Sequence, residues 1–199
     1  VLSDGFLKHG YSVVRGTRDA SKLAAWAEGV AAAAAATFAG AAAAAEIVVL
    51  AVKGAVAEEV VRSVAPQLVG KVVIDATNPI TDAPPKDGML SYFTSLDQSL
   101  MERLIAAAPG AHFVKAFSSV GNANFVNPDF GGTSPTMFIC GDDATAKATV
   151  TSILDAFGWE AADMGVAAAA RVIEPLCILW CIPGMLHNQW THAFKLLKR

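Results

Sequence analysis

Two uninterrupted apolar runs, "IVVLAV" at residues 47–52 and "VVI" at 72–74, bracket a helical stretch, 55–68, whose polar side carries Glu58, Glu59 and Arg62. A strand with one wet face alternates apolar and polar residues. A strand with no polar positions must be covered on both faces, as in a parallel sheet with helices packed above and below. The stretch between the runs supplies the crossover that a parallel pair needs. The same alternation continues along the chain, with helices expected at 99–108 and 144–157 and strands at 113–117, 136–140 and 159–162. Upstream, residues 2–9 read as a helix closed by Gly10, followed by a short strand at 12–15 and a turn at Gly16-Thr17-Arg18. The predicted class is α/β, a doubly wound, mostly parallel sheet.

The last segment, residues 167–198, is helical in pattern and broken only at Pro183-Gly184. No linker separates it, so residues 167–199 read as a C-terminal helical elaboration of the domain formed by 1–166. It has two possible homes: over the ligand cleft at the strand ends, or against another subunit, around Leu176, Trp180 and Ile182. The 54% hydrophobic content supports a large core or a buried subunit surface, which makes a homodimer or a subunit of a larger assembly the expected state. A net charge of −3 gives no electrostatic reason to expect nucleic acid. The apolar run at 175–186 is too short to span a bilayer, and no transmembrane segment is expected. Cys140, Cys177 and Cys181 form neither a disulfide framework nor a CxxC pair, which points to a reducing, cytoplasmic setting. The four histidines lack ligand spacing, so no metal is expected. Alanine blocks at 31–36, 41–45 and 167–170 have no polar face and carry no assignment.

In a sheet of this kind ligands bind beyond the carboxyl ends of the strands. The residues leaving the strands are therefore the candidates: Thr17 and Arg18; Val52 and Lys53; Thr77 and Asn78; and Ala116, Phe117 and Ser118. A Rossmann-type dinucleotide site also needs a glycine loop between its first strand and first helix, where the pyrophosphate meets a helix N-terminus. No such loop precedes residues 2–9, and it is expected upstream of Val1 together with the first strand. At the end of the strand that follows, a carboxylate would hold a free ribose, whereas Arg would hold a 2′-phosphate. Thr17-Arg18, with Ser21-Lys22 one turn on, fits the phosphate and hence NADP. Asp19 is the competing ribose ligand, but it also suits a helix N-cap.

With "GFLKHGYSVVRGTRD", "VVLAVKG", "VVIDATNPI", "FVKAFSSVGN", "PTMFICGDD" and "ARVIEPLCILWCIPG" assembled, the sequence resembles the NADPH-dependent deazaflavin reductases, coenzyme F420 enzymes whose fold recurs in the nucleotide domain of the STEAP metalloreductases. The resemblance implies that Thr17 and Arg18 take the 2′-phosphate, with Lys22 close by. It places Val52, Lys53, Thr77, Asn78 and the segment from Ala116 through Phe117 and Ser118 on the nicotinamide side. It also implies hydride transfer between NADP(H) and a deazaflavin or flavin, a small-molecule acceptor that requires no nucleophile or metal from the protein. The apolar helix around Trp180 could wall a flat ring or simply pack as core. Two other readings are a nucleotide-binding structural subunit without turnover, and a dehydrogenase of small carbonyl compounds, which would need a proton donor.

Overall fold

The structure, a computed structural model, describes residues 1–30 and 32–199. Helix α1 (Leu2–Lys8) leads through Gly10, at φ +84°, into strand β1 (Val13–Gly16), which pairs in parallel with β2 (Ala33–Ala36). Between them lies a short helix α2 (Ala24–Ala27), and after them α3 (Phe38–Ala44). Strands β3 (Ile47–Leu50), β4 (Val72–Asp75) and β5 (His112–Lys115) form a parallel sheet in which Leu50, Asp75 and Lys115 lie side by side at the carboxyl end. Helices α4 (Gly54–Leu68) and α5 (Leu100–Ala107) are the crossovers. Strands β6 (Thr136–Ile139) and β7 (Glu160–Asp163), joined by α6 (Ala144–Ala156), make a further parallel pair tied to β5 at Lys115 and Cys140.

The apolar strands are covered on both faces. Val73 and Phe113 point into one core with Ala57, Val61, Val64 and Leu68 of α4 and Leu104 of α5. Their neighbours Ile74 and Val114 point into the other, with Phe6, Val150, Ile153 and Phe157. Successive side chains on a strand face opposite ways, so the two cores follow directly from the two-sided burial. The α4 spacing of Ala57, Val61, Val64 and Leu68 is one helical stripe. Ser99 and Glu102 close a reciprocal capping box at the start of α5, and Asp143 caps α6 through Ala146 N.

Differences from the sequence reading concern ends and the C-terminal segment. The strands stop earlier than expected at Leu50 and Lys115, because the following residues leave the ladder to build loops. In the first alanine block, Ala33–Ala36 is strand, since pairing with β1 overrides alanine's helical preference; Ala31 lies outside the described residues. After α7 (Ala170–Ile173), α8 (Leu176–His187) is not broken at Pro183-Gly184 but runs through both. It ends instead at Asn188, left-handed at φ 54° and ψ 34°, whose N–H donates to Gly184 O. Residues 188–199 are not helical. They fold back so that Trp190 covers Gly184, where an added Cβ would sit 2.3 Å from the indole. Phe194 O accepts from Thr136 N at 2.8 Å, and Leu196 N donates to Thr136 Oγ1 at 3.0 Å. Tertiary pairing beside β6 therefore replaces the helix that the local pattern favours.

The stretch Ala167–His187 is long and apolar enough to cross a membrane by length and composition, with mean hydropathy 1.5. In the structure it is docked on the sheet. Its Glu174 reaches the end of β5, while Cys177, Trp180 and Cys181 pack against Ile80, Leu90, Tyr92, Val120 and Phe194.

Candidate dinucleotide site at the strand ends

β1 and β3 each pair on one side only among the described residues, and both line one cleft of about 950 Å³. Arg15, Gly16 and Thr17 stand on one wall, and Val49, Leu50, Ala51 and Val52 on the other. Of the residues that the sequence singles out, Thr17 and Val52 line this cleft, and most of its remaining lining is apolar.

At the end of β1, Thr17 N pairs with Ala36 O, and its Oγ1 accepts from Asp19 N at 3.2 Å. Arg18 is exposed, and none of the ion pairs among the described residues uses it. The Asp19 carboxylate is engaged: Oδ1 accepts from Ser21 N at 3.1 Å and Ser21 Oγ at 2.6 Å, capping the 3₁₀ turn at Ala20–Leu23 that carries the exposed Lys22. Capping, the second of the roles open to Asp19, is the one it fills. The sequence reading passed over Arg15, whose guanidinium lies 4.5 Å from the Trp26 ring centroid, while Trp26 Nε1 donates to Asp4 Oδ1 at 2.8 Å.

On the far wall, exposed Lys53 pairs with Asp82, and half-buried Val52 lines the cleft. Gly54 opens α4 directly beneath the β4 exit, so that a Cβ there would lie 1.9 Å from Asn78 O. Thr77 is buried, its N–H and Oγ1 both donating to Asp75 Oδ1, at 2.9 and 2.7 Å. Asn78 Nδ2 donates to Ser118 O at 2.8 Å and binds the β4 and β5 exits together. Ala116 is fully buried, and its N–H donates to Asp75 O at 3.1 Å. Phe117 sits at φ +61° with its ring in the core, 5.3 Å from Phe125, so it brings only backbone to the strand end. A bulky residue in that conformation is strained, a cost that clusters at functional sites. Beside it, Ser118 Oγ is buried without a hydrogen-bond partner among the described residues. An orphan hydroxyl next to a strained residue fits a site that accepts a polar ligand atom.

Trp180 is core rather than an open wall. It is 5% exposed, its Nε1 donates to His192 O at 2.8 Å, and its ring stacks on His192 at 4.9 Å. Tyr92, which the sequence reading did not single out, donates to Glu174 O at 2.8 Å and lies 3.5 Å from Asn78 Oδ1. Burial, helped by Cys177 and Glu174, pushes its phenol well above the usual range. Buried Lys115 and Glu174 were likewise missed, because an isolated charge in an apolar run gives no signal of its partner.

Residues 1–79 match the family described as NADP oxidoreductase, coenzyme F420-dependent. A protein of known structure from Arthrobacter sp. FB24, designated an F420-dependent NADP reductase, superposes with a TM-score of 0.90 at 27% identity, covering 99% of this chain and 93% of that one. Metalloreductase STEAP3 of Rattus norvegicus is 35% identical over 129 residues, 62% of this chain. Over residues 1–79 the chain is similar to the coenzyme F420-dependent NADP oxidoreductase family, and over 129 residues it is similar to STEAP3. It spans 24% of the length of STEAP3. A reductive aminase from Aspergillus terreus, solved with NADPH and ethyl levulinate, shares the fold at a TM-score of 0.65 and 19% identity, covering 94% of this chain and 58% of its own. The family matched by residues 1–79 and the Arthrobacter protein are both described as F420-dependent NADP oxidoreductases or reductases.

Proposed function

We propose that the protein transfers a hydride between NADP(H) and a deazaflavin or flavin, in the cytoplasm, as a homodimer or a subunit of a larger assembly. The observation that carries this reading is the pairing pattern after β1: Arg18 exposed and outside every ion pair among the described residues, with the neighbouring Asp19 carboxylate occupied in capping. A guanidinium beside a threonine hydroxyl is a donor set for a 2′-phosphate, and one oxygen of the neighbouring carboxylate is committed to the cap. The orphan Ser118 hydroxyl at the other end fits the polar edge of the nicotinamide half. When bound, NADPH would supply the hydride from its nicotinamide ring, and NADP+ would take one up in the reverse direction.

The protein's part is to hold and shield. Thr17, Arg18 and Lys22 would bind the adenosine end; Val52, Lys53, Thr77, Asn78, the Ala116 and Phe117 backbone, and Ser118 would hold the other. A further parallel strand in the cleft between β1 and β3, carrying the glycine loop at its end, would complete the pyrophosphate site. The buried Tyr92 hydroxyl commits its one proton to Glu174 O, at 2.8 Å, and so offers none to a carbonyl substrate, which supports a ring acceptor.

The test is Arg18→Ala in the full-length protein. NADPH binding should weaken by about ten- to a hundredfold, the value of one charge-assisted contact, with NADH binding unchanged. Equal loss for both cofactors would overturn the 2′-phosphate assignment. Stereospecifically deuterated NADPH should pass its label to C5 of a deazaflavin; normal NADPH binding with no reduction of deazaflavin or flavin would favour the structural-subunit reading.

A further inference from the structure

Three fully buried charged side chains meet where β4 and β5 end. Asp75 and Lys115 are register partners, the last residues of their strands. Lys115 Nζ lies 2.6 Å from Asp75 Oδ2 and 2.9 Å from Glu174 Oε1, with side-chain exposures of 0% for Lys115 and Asp75 and 2% for Glu174. Its third bond goes to Thr77 O at 3.0 Å. The bond to Thr77 O is a directed hydrogen bond, whereas Asp75 Oδ2 and Glu174 Oε1 hold the ammonium as close ion-pair partners. Burial alone would lower the lysine pKa; the two carboxylates outweigh it and raise it above the usual value, so the cation persists.

Both carboxylates are also held from the other side. Asp75 Oδ1 takes the Thr77 N–H and hydroxyl, and Glu174 accepts from Leu100 N and Met101 N, at 3.0 Å each, at the start of α5. Thr77 is consequently held at its N–H, hydroxyl and carbonyl by one cluster. Asn78 follows, its amide on Ser118 O and its carbonyl oxygen facing Tyr92, whose hydroxyl returns to Glu174 O. Well-packed apolar residues often hold a core as well as a buried ion cluster or better. The cluster is therefore poorly explained by stability, and its bonds converge on one turn.

We infer that Asp75, Lys115 and Glu174 are positioning residues that set the Thr77–Asn78 turn, and through it Ser118, for the nicotinamide half of a dinucleotide. This rests on the cofactor reading above. No member of the cluster needs to touch the ligand. The C-terminal segment takes part through Glu174, so docking of α7 and α8 and shaping of the strand ends are one event.

The test compares two probes on the full-length protein: NADPH, and adenosine 2′,5′-bisphosphate, which lacks the nicotinamide half. Lys115→Met and Glu174→Gln should each weaken NADPH by about tenfold or more, the value of a lost charge-assisted bond, and leave the bisphosphate within about twofold. Should Lys115→Met fail to fold, Glu174→Gln, which keeps side-chain size, supplies the same comparison. If the wild type binds both probes and the folded variants lose both in parallel, or lose neither, the cluster is structural only and the inference fails. If the wild type binds neither probe, the cofactor reading fails and takes the inference with it.

Discussion

Gly54→Ala tests the tightest contact at the strand ends. An added Cβ at Gly54 would lie 1.9 Å from Asn78 O and 2.8 Å from Asn78 C, both backbone atoms, so relief requires the turn itself to move. The turn is not free to move: Lys115 holds Thr77 O, Asp75 holds Thr77 N, and Asn78 Nδ2 is bonded to Ser118 O. Overpacking of this kind costs about 1–3 kcal/mol. Alanine returns about 0.5–1 kcal/mol over glycine in a helix, less at its first residue. The balance is a loss of about 1–2 kcal/mol, or about 2–8 °C in Tm for a chain of this size. Differential scanning calorimetry at neutral pH gives the answer. An unchanged or raised Tm would show that the turn yields freely, and would remove the basis for treating it as a rigid platform.

Glu102 is held down to about 2, chiefly by the bidentate Arg171 guanidinium and by Ser99. Its folded pKa lies below the unfolded value, so its contribution is present above about pH 4.5 and is lost as pH falls from there towards 2. Thermal unfolding at pH 5 and pH 3 should show a smaller acid loss in Glu102→Gln than in the wild type; equal losses would contradict the pairing. Burial pushes the Cys140 thiol up to about 12, and the native protein should leave it unlabelled by iodoacetamide at pH 8 while urea exposes it. Labelled Cys140 in peptides from native protein would show that this part of the core opens.

Much of the fold is a local property of this sequence. Residues 47–52 and 72–74 contain no polar position before Asp75, and only a sheet buried on both sides accommodates such strands. The α4 stripe, the Ser99–Glu102 box and the Asp19 and Asp143 caps are short-range patterns, legible because both partners lie within a few residues. Strand-end candidates follow from the same logic, since the end of each apolar run marks where a ligand can reach the sheet. The sequence left Asp19 between two roles, and the structure shows it making the capping contacts.

Other features depend on contacts far apart in the chain. Lys115 and Glu174 meet across 58 intervening positions of unrelated pattern, and neither residue type signals burial by itself. The helical reading of residues 188–198 failed because bonds to Thr136 and packing on Gly184 and Trp180 outweigh local propensity, which is worth only tenths of a kcal/mol per residue. Ala33–Ala36 became strand for the same reason, through its ladder with β1. Propensity is summed over neighbours in sequence, whereas pairing and burial are summed over neighbours in space, and the strand ends of this protein are built almost entirely from the second kind.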